Sequence, residues 1–176
     1  TYGSGPGSLG AMTELADAIA FAFEVADADG KPCVVNVSLG DDLGPRDGTS
    51  PVERFIDELL QQPGRAVVVA AGNSGGRDKH VVAELEPGQS ATFEILVGAG
   101  NRSRAVVEIW YDTSASPDVA LDVEIEAPAG AGTTGRIVPD GVPRAFDVEQ
   151  TRVLVASERR VPVGENGLIC VEVLPA

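Results

Sequence analysis

At 176 residues the chain is long enough for one medium domain or two small ones, and 43% hydrophobic residues supply a sizeable core. A formal net charge of −14 repels phosphate backbones and anionic lipid, so nucleic acid and membrane surfaces are poor partners, whereas basic peptides remain compatible. Aromatic residues at 5% disfavour a base-stacking surface, and 21 glycines with 12 prolines favour a strand-and-turn architecture with small aliphatic residues in the core.

The chain opens at Thr1, so its natural beginning is expected outside this sequence, and no basic-then-apolar layout marks a signal peptide. Met12, Leu15, Ile19, Phe23 and Ala26, interleaved with Ala16 and Ala22, recur at steps of three and four and predict an amphipathic helix over 12–29. Asp29-Gly30-Lys31-Pro32 ends it. The apolar run Cys33 to Leu39 then predicts a strand buried on both faces, as in a parallel sheet. Ser50-Pro51-Val52-Glu53 announces a second helix: Ser50 caps, Pro51 takes the first helical position, and Glu53 completes a capping box. Phe55, Ile56, Leu59 and Leu60 form its apolar stripe, and Gly64 stops it. Ala66 to Ala71 predicts another buried strand, so that helix, strand, helix and strand build a right-handed parallel unit.

At Ser74-Gly75-Gly76-Arg77-Asp78-Lys79 the texture changes, and we place a domain boundary between residues 78 and 79. Beyond it, short alternating runs at Thr92 to Val97, Ala105 to Tyr111, Val119 to Ile125, Arg152 to Val155 and Leu168 to Val173 predict an all-β sandwich or jelly-roll-like domain over 79–176. Cys33 and Cys170 each sit in an apolar run and read as buried thiols. No apolar stretch approaches the ~20 residues of a membrane span.

Ala70-Ala71-Gly72-Asn73 carries the most chemistry. It places a carboxamide where a strand surfaces, with small residues beside it that let a substrate backbone approach and amide hydrogens able to meet an oxyanion. Together with Val34-Val35-Asn36-Val37-Ser38-Leu39-Gly40 upstream, it resembles the middle of a subtilisin-like serine protease. The resemblance covers residues 1 to about 76 and implies the α/β fold of that family, a three-layer arrangement of parallel strands and helices, for residues 1–78. It implies that Ser38, Leu39 and Gly40 pair with a peptide substrate and wall the pocket for the residue before the cleaved bond. It further implies that Ala70, Ala71 and Gly72 form the opposite wall, and that Asn73 supplies the oxyanion-hole side chain. Gly3-Ser4-Gly5 is the matching edge segment for the other side of the peptide.

The family's catalytic parts are not found in this stretch. Asp47-Gly48-Thr49-Ser50 imitates its Gly-Thr-Ser nucleophile motif, yet Ser50 precedes Asn73 and reads as a helix cap. His80 follows Asn73, whereas the family's histidine precedes the Ser-Leu-Gly strand, so His80 reads as a surface or interface residue. The chain is therefore expected to be an internal piece of a serine endopeptidase, with a β-rich insert ahead of the nucleophile and no hydrolytic activity of its own. Its expected partners are a peptide or protein substrate, the remainder of the protease chain and, through an exposed sheet edge, a second copy. A secreted or cell-associated bacterial setting is the family-based expectation.

Competing readings are weaker. Gly5-Pro6-Gly7-Ser8-Leu9-Gly10 satisfies a dinucleotide-binding pattern, but only four residues precede it, too few for the strand it needs. Asp122, Glu124 and Glu126 share one strand face and read as solvated. Asp41, Asp42 and Asp47 are loop carboxylates of the kind that bind calcium, without a defined ligand spacing, so no cofactor is expected beyond that one candidate. Residues 79–176 as a non-catalytic docking module, or the whole as part of a pseudoprotease, are the functional alternatives.

Overall fold

The computed structural model describes residues 9–40, 42–96, 104–114, 118–127, 130–148, 151–158 and 166–174. The dinucleotide-like glycine pattern and Gly3-Ser4-Gly5 fall largely outside them, as does Asp41. The chain divides into two compact units, Thr1–Glu84 and Leu85–Ala176, six residues beyond the boundary expected from composition.

In the first unit, helix α1 (Leu9–Ala28), strand β1 (Cys33–Val37), helix α2 (Pro51–Leu59) and strand β2 (Arg65–Val69) follow in the expected order. The two strands pair in parallel, from Cys33 opposite Arg65 to Val37 opposite Val69. Ile19 and Phe23 of α1 are fully buried against Val37, with Leu15, Cys33, Val35, Ile56, Leu59, Leu60 and Val67 packed around them. The predicted capping box of α2 is present: Ser50 N donates to Glu53 Oε2 at 3.1 Å, and Glu53 N donates to Ser50 Oγ at 3.4 Å. Arg65 lies over the Phe23 ring, 5.0 Å from its centroid, paired with Asp27 and donating to the Leu59 carbonyl at 3.0 Å.

One expectation fails here. The strands were expected to be buried on both faces, yet only the helix side is covered. Cys33, Val35 and Val37 point toward the core, whereas Val34 is 67% and Val68 53% exposed. The physical reason is the layer count: among the described residues β1 and β2 pair only with each other, and both helices contribute to the core on a single face. Helix α1 carries a second apolar stripe at Phe21 and Val25, also exposed.

The second unit is built on a four-stranded antiparallel sheet of β3 (Ala105–Asp112), β4 (Arg144–Val148), β5 (Thr151–Glu158) and β6 (Asn166–Leu174), in the spatial order β3-β6-β5-β4. Alternation sends Val153, Val155, Ile169 and Val171 to a common core. Leu121, Val123 and Ile125 pack on that core with buried Ile137, from a segment held by two isolated bridges, Val123 to Ile137 and Glu126 to Thr133. The described residues thus form one regular sheet with a bridged segment on its core side. Two expected runs take no strand: residues 92–96 are irregular, and 119–125 contributes only a bridge. Gly167 sits opposite Tyr111 in the β3-β6 pair, and a Cβ there would stand 2.1 Å from the tyrosine ring, so the ring occupies the space that a side chain would need.

Candidate functional site

Parallel pairing decides where the two motifs go. Since β1 and β2 run the same way, Ser38-Leu39-Gly40 and Ala70-Ala71-Gly72-Asn73 leave the sheet at the same edge, beyond the carboxyl ends of both strands. In open parallel sheets that edge is where ligands bind. The last rung of the ladder is the bond from Ala70 N to the Val37 carbonyl, 3.0 Å long, and past it both segments are irregular.

All seven motif residues are exposed, with Leu39 at 66%. Asn36 Nδ2 donates to Ser38 Oγ at 2.9 Å and holds the first of them. Gly72 adopts a φ of +85°, a left-handed conformation that a side chain would resist, and this turn carries the chain into Asn73. The arrangement offers two short, accessible backbone segments side by side with a carboxamide at the end of one. It suits the pairing of an extended peptide and the donation of amide hydrogens to a developing negative charge.

A connection between these segments had no signal in the sequence. Ser74 Oγ donates to both carboxylate oxygens of Asp42, at 2.9 Å each, and Lys79 Nζ donates to Asp42 Oδ2 at 3.1 Å. The hydrogen bond from Lys79, followed by that from Ser74, holds the Asp42 carboxyl below its usual range. Asp47 accepts from Thr49, through Thr49 N at 2.9 Å and Thr49 Oγ1 at 2.6 Å, just ahead of the Ser50 cap. Among the described residues, no three His, Cys, Asp or Glu side chains gather as a metal cage.

Several other candidates are placed elsewhere. Ser50 is engaged in its capping box. His80 is exposed in an irregular segment. Asp122 pairs with Arg136, and Glu124 accepts from Thr133 Oγ1 at 2.7 Å, so these acids belong to the bridged segment rather than to an acid/base pair. Cys170 is buried, and burial followed by the nearby charges of Glu108 and Glu172 pushes its thiol up to about 11, which leaves it protonated at neutral pH. Cys33 is half-buried at the edge of the first core. A shallow depression of about 510 Å³ lies at the opposite ends of the strands, between Asp27, Lys31 and Gly64, and contains no motif residue. No described helix is long and apolar enough to cross a membrane.

Comparison with known proteins gives this site its context. Residues 2–158 match the family model described as the subtilase family. The fold is similar to the structure of the CspB protease of Clostridium perfringens, with a TM-score of 0.76 and 26% sequence identity over 93% of this chain. The chain spans 34% of that protease's length. No curated protein matches it significantly. With more than half of its residues under the family model, this chain belongs to the subtilase family.

Proposed function

We propose that the chain is a segment of a subtilisin-like serine endopeptidase and forms one side of its peptide-binding cleft. Ser38-Leu39-Gly40 pairs with the substrate backbone, Ala70-Ala71-Gly72 faces it, and the Asn73 carboxamide stabilises the tetrahedral oxyanion. The nucleophilic serine that attacks the carbonyl and the histidine that moves its proton come from the remainder of the protease chain. The observation that carries this reading is the parallel pairing of β1 and β2, which brings two motifs 30 or more residues apart in sequence to one sheet edge.

The exposed side of the small sheet and the Phe21 and Val25 stripe of α1 fit the same reading. In it, the rest of the catalytic domain supplies further strands and the second helical layer, and so covers apolar surface that would otherwise face water. The β-rich unit from Leu85 onward acts as an inserted β-sandwich, in which the bridged residues around Val123 and Ile137 belong to the layer opposing the four-stranded sheet.

An active-site fluorophosphonate tests the division of labour. The 176-residue chain is expected to remain unlabelled, while the complete protease is labelled on a serine outside these residues. Stoichiometric labelling of one serine within the chain would overturn the reading, because a nucleophile and its base would then both be present here.

A further inference from the structure

We propose that Asp42 is a positioning residue for Asn73: its carboxylate ties the segment following β1 to the segment following β2, and so fixes where the Asn73 carboxamide stands opposite Ser38-Leu39-Gly40. The proposal rests on Asn73 as the oxyanion donor and adds a residue outside both motifs.

The backbone ladder holds the two segments together as far as the bond between Ala70 and Val37. Farther out, side chains take over. Ser74, the residue directly after Asn73, reaches both Asp42 oxygens at 2.9 Å, and Lys79 reaches one of them at 3.1 Å. The turn between them is closed by Arg77 N donating to the Ser74 carbonyl at 3.1 Å, which carries Lys79 back over Asp42. On the other segment, Arg46 lies 3.8 Å from the Asp42 carboxylate and donates to the Asp42 carbonyl at 2.6 Å, anchoring the residue that holds the tie.

A carboxylate suits this task because it is acceptor-only at both oxygens and can serve several donors at once. An asparagine in its place offers a single acceptor oxygen and no charge for Lys79. Asn73 sits between Gly72, whose left-handed turn supplies conformational freedom, and Ser74, whose hydroxyl is held. Without the tie, the carboxamide would be restrained from the strand side alone. Asp42, Lys79 and Arg46 are exposed, so the tie contributes little to global stability, and its loss should show in geometry before it shows in melting.

The test is the side-chain amide resonances of Asn73 in the isotope-labelled chain. In Asp42→Asn and in Ser74→Ala these resonances are expected to move toward the positions of a freely rotating carboxamide, while the Ile19 methyl and Phe23 ring resonances stay in place; in Asp42→Glu the Asn73 resonances stay nearer their parent positions. Unchanged Asn73 resonances in Asp42→Asn would overturn the proposal. In the complete protease, Asp42→Asn is expected to lower kcat about tenfold with KM within about twofold, less than the roughly hundredfold loss that follows a 1 Å misplacement. Asn73→Ala run alongside separates the two claims. If Asn73→Ala costs kcat and Asp42→Asn does not, the tie is overturned; if Asn73→Ala costs nothing, the oxyanion reading fails and the resonances alone decide the tie.

Discussion

Asn73→Ala in the complete protease is expected to lower kcat by about 10² to 10³, a magnitude carried over from loss of the corresponding oxyanion donor in a subtilisin. In the proposed role KM should change little, because an oxyanion donor acts on charge that exists only in the transition state. The structure makes this substitution interpretable. Asn73 is exposed within an irregular segment, past the last rung of the β1-β2 ladder, so its truncation removes no buried contact. A stability loss is therefore not expected to accompany the loss of rate. Steady-state kinetics on a peptide substrate provide the check. A raised KM with unchanged kcat would instead make Asn73 part of the cleft wall.

The largest structural effect is expected from Phe23→Ala, about 3–5 kcal/mol of stability in the first unit. Phe23 is 0% exposed and stands at the centre of the small core formed by α1, β1, α2 and β2. Its ring also covers the guanidinium of Arg65, whose side chain is only 8% exposed. Arg65 is held by Asp27 and by the Leu59 carbonyl, while its Nε has no hydrogen-bond partner among the described residues. Removing the ring opens a cavity and also strips the apolar and π-face contact from a nearly buried cation. Denaturant unfolding followed by far-ultraviolet circular dichroism reads this unit, since both described helices lie in it. Phe21→Ala serves as the comparison: two residues away but 66% exposed, it should stay within about 0.5 kcal/mol of the parent chain. A loss below about 1 kcal/mol for Phe23→Ala would contradict the assigned core.

The contrast between Phe21 and Phe23 also shows what the sequence disclosed. Periodicity selected Ile19 and Phe23 as core residues, and the structure buries both. The Ser50 and Glu53 capping box was equally legible, because a cap depends on neighbours three residues apart. Burial on both strand faces was not, since an apolar run records what a strand is suited to and not how many layers these residues assemble. In the second unit β4 was missed: Arg144 to Val148 is short and interrupted by charge, and only pairing with β5 places Phe146 and Val148 toward the core. The motif residues Ser38, Leu39, Gly40, Ala70, Ala71, Gly72 and Asn73 were singled out through resemblance, and the expected parallel order already implied a common edge; the register of β1 on β2 adds where that edge begins. Asp42 was readable only as one acid in a loop. Its partners Ser74 and Lys79 lie 32 and 37 residues away, beyond the reach of any local pattern.

The most direct measurement is a structure of the complete protease captured with a peptidyl chloromethyl ketone, whose ketone carbon becomes a tetrahedral hemiketal on the serine, bearing an oxyanion, while its methylene alkylates the histidine with loss of chloride. The predicted complex places Asn73 Nδ2 about 2.7–3.1 Å from that oxygen, with the peptide backbone paired along Ser38-Leu39-Gly40. An adduct whose oxygen is met by other donors while Asn73 turns away, or a peptide seated off this sheet edge, would contradict the account.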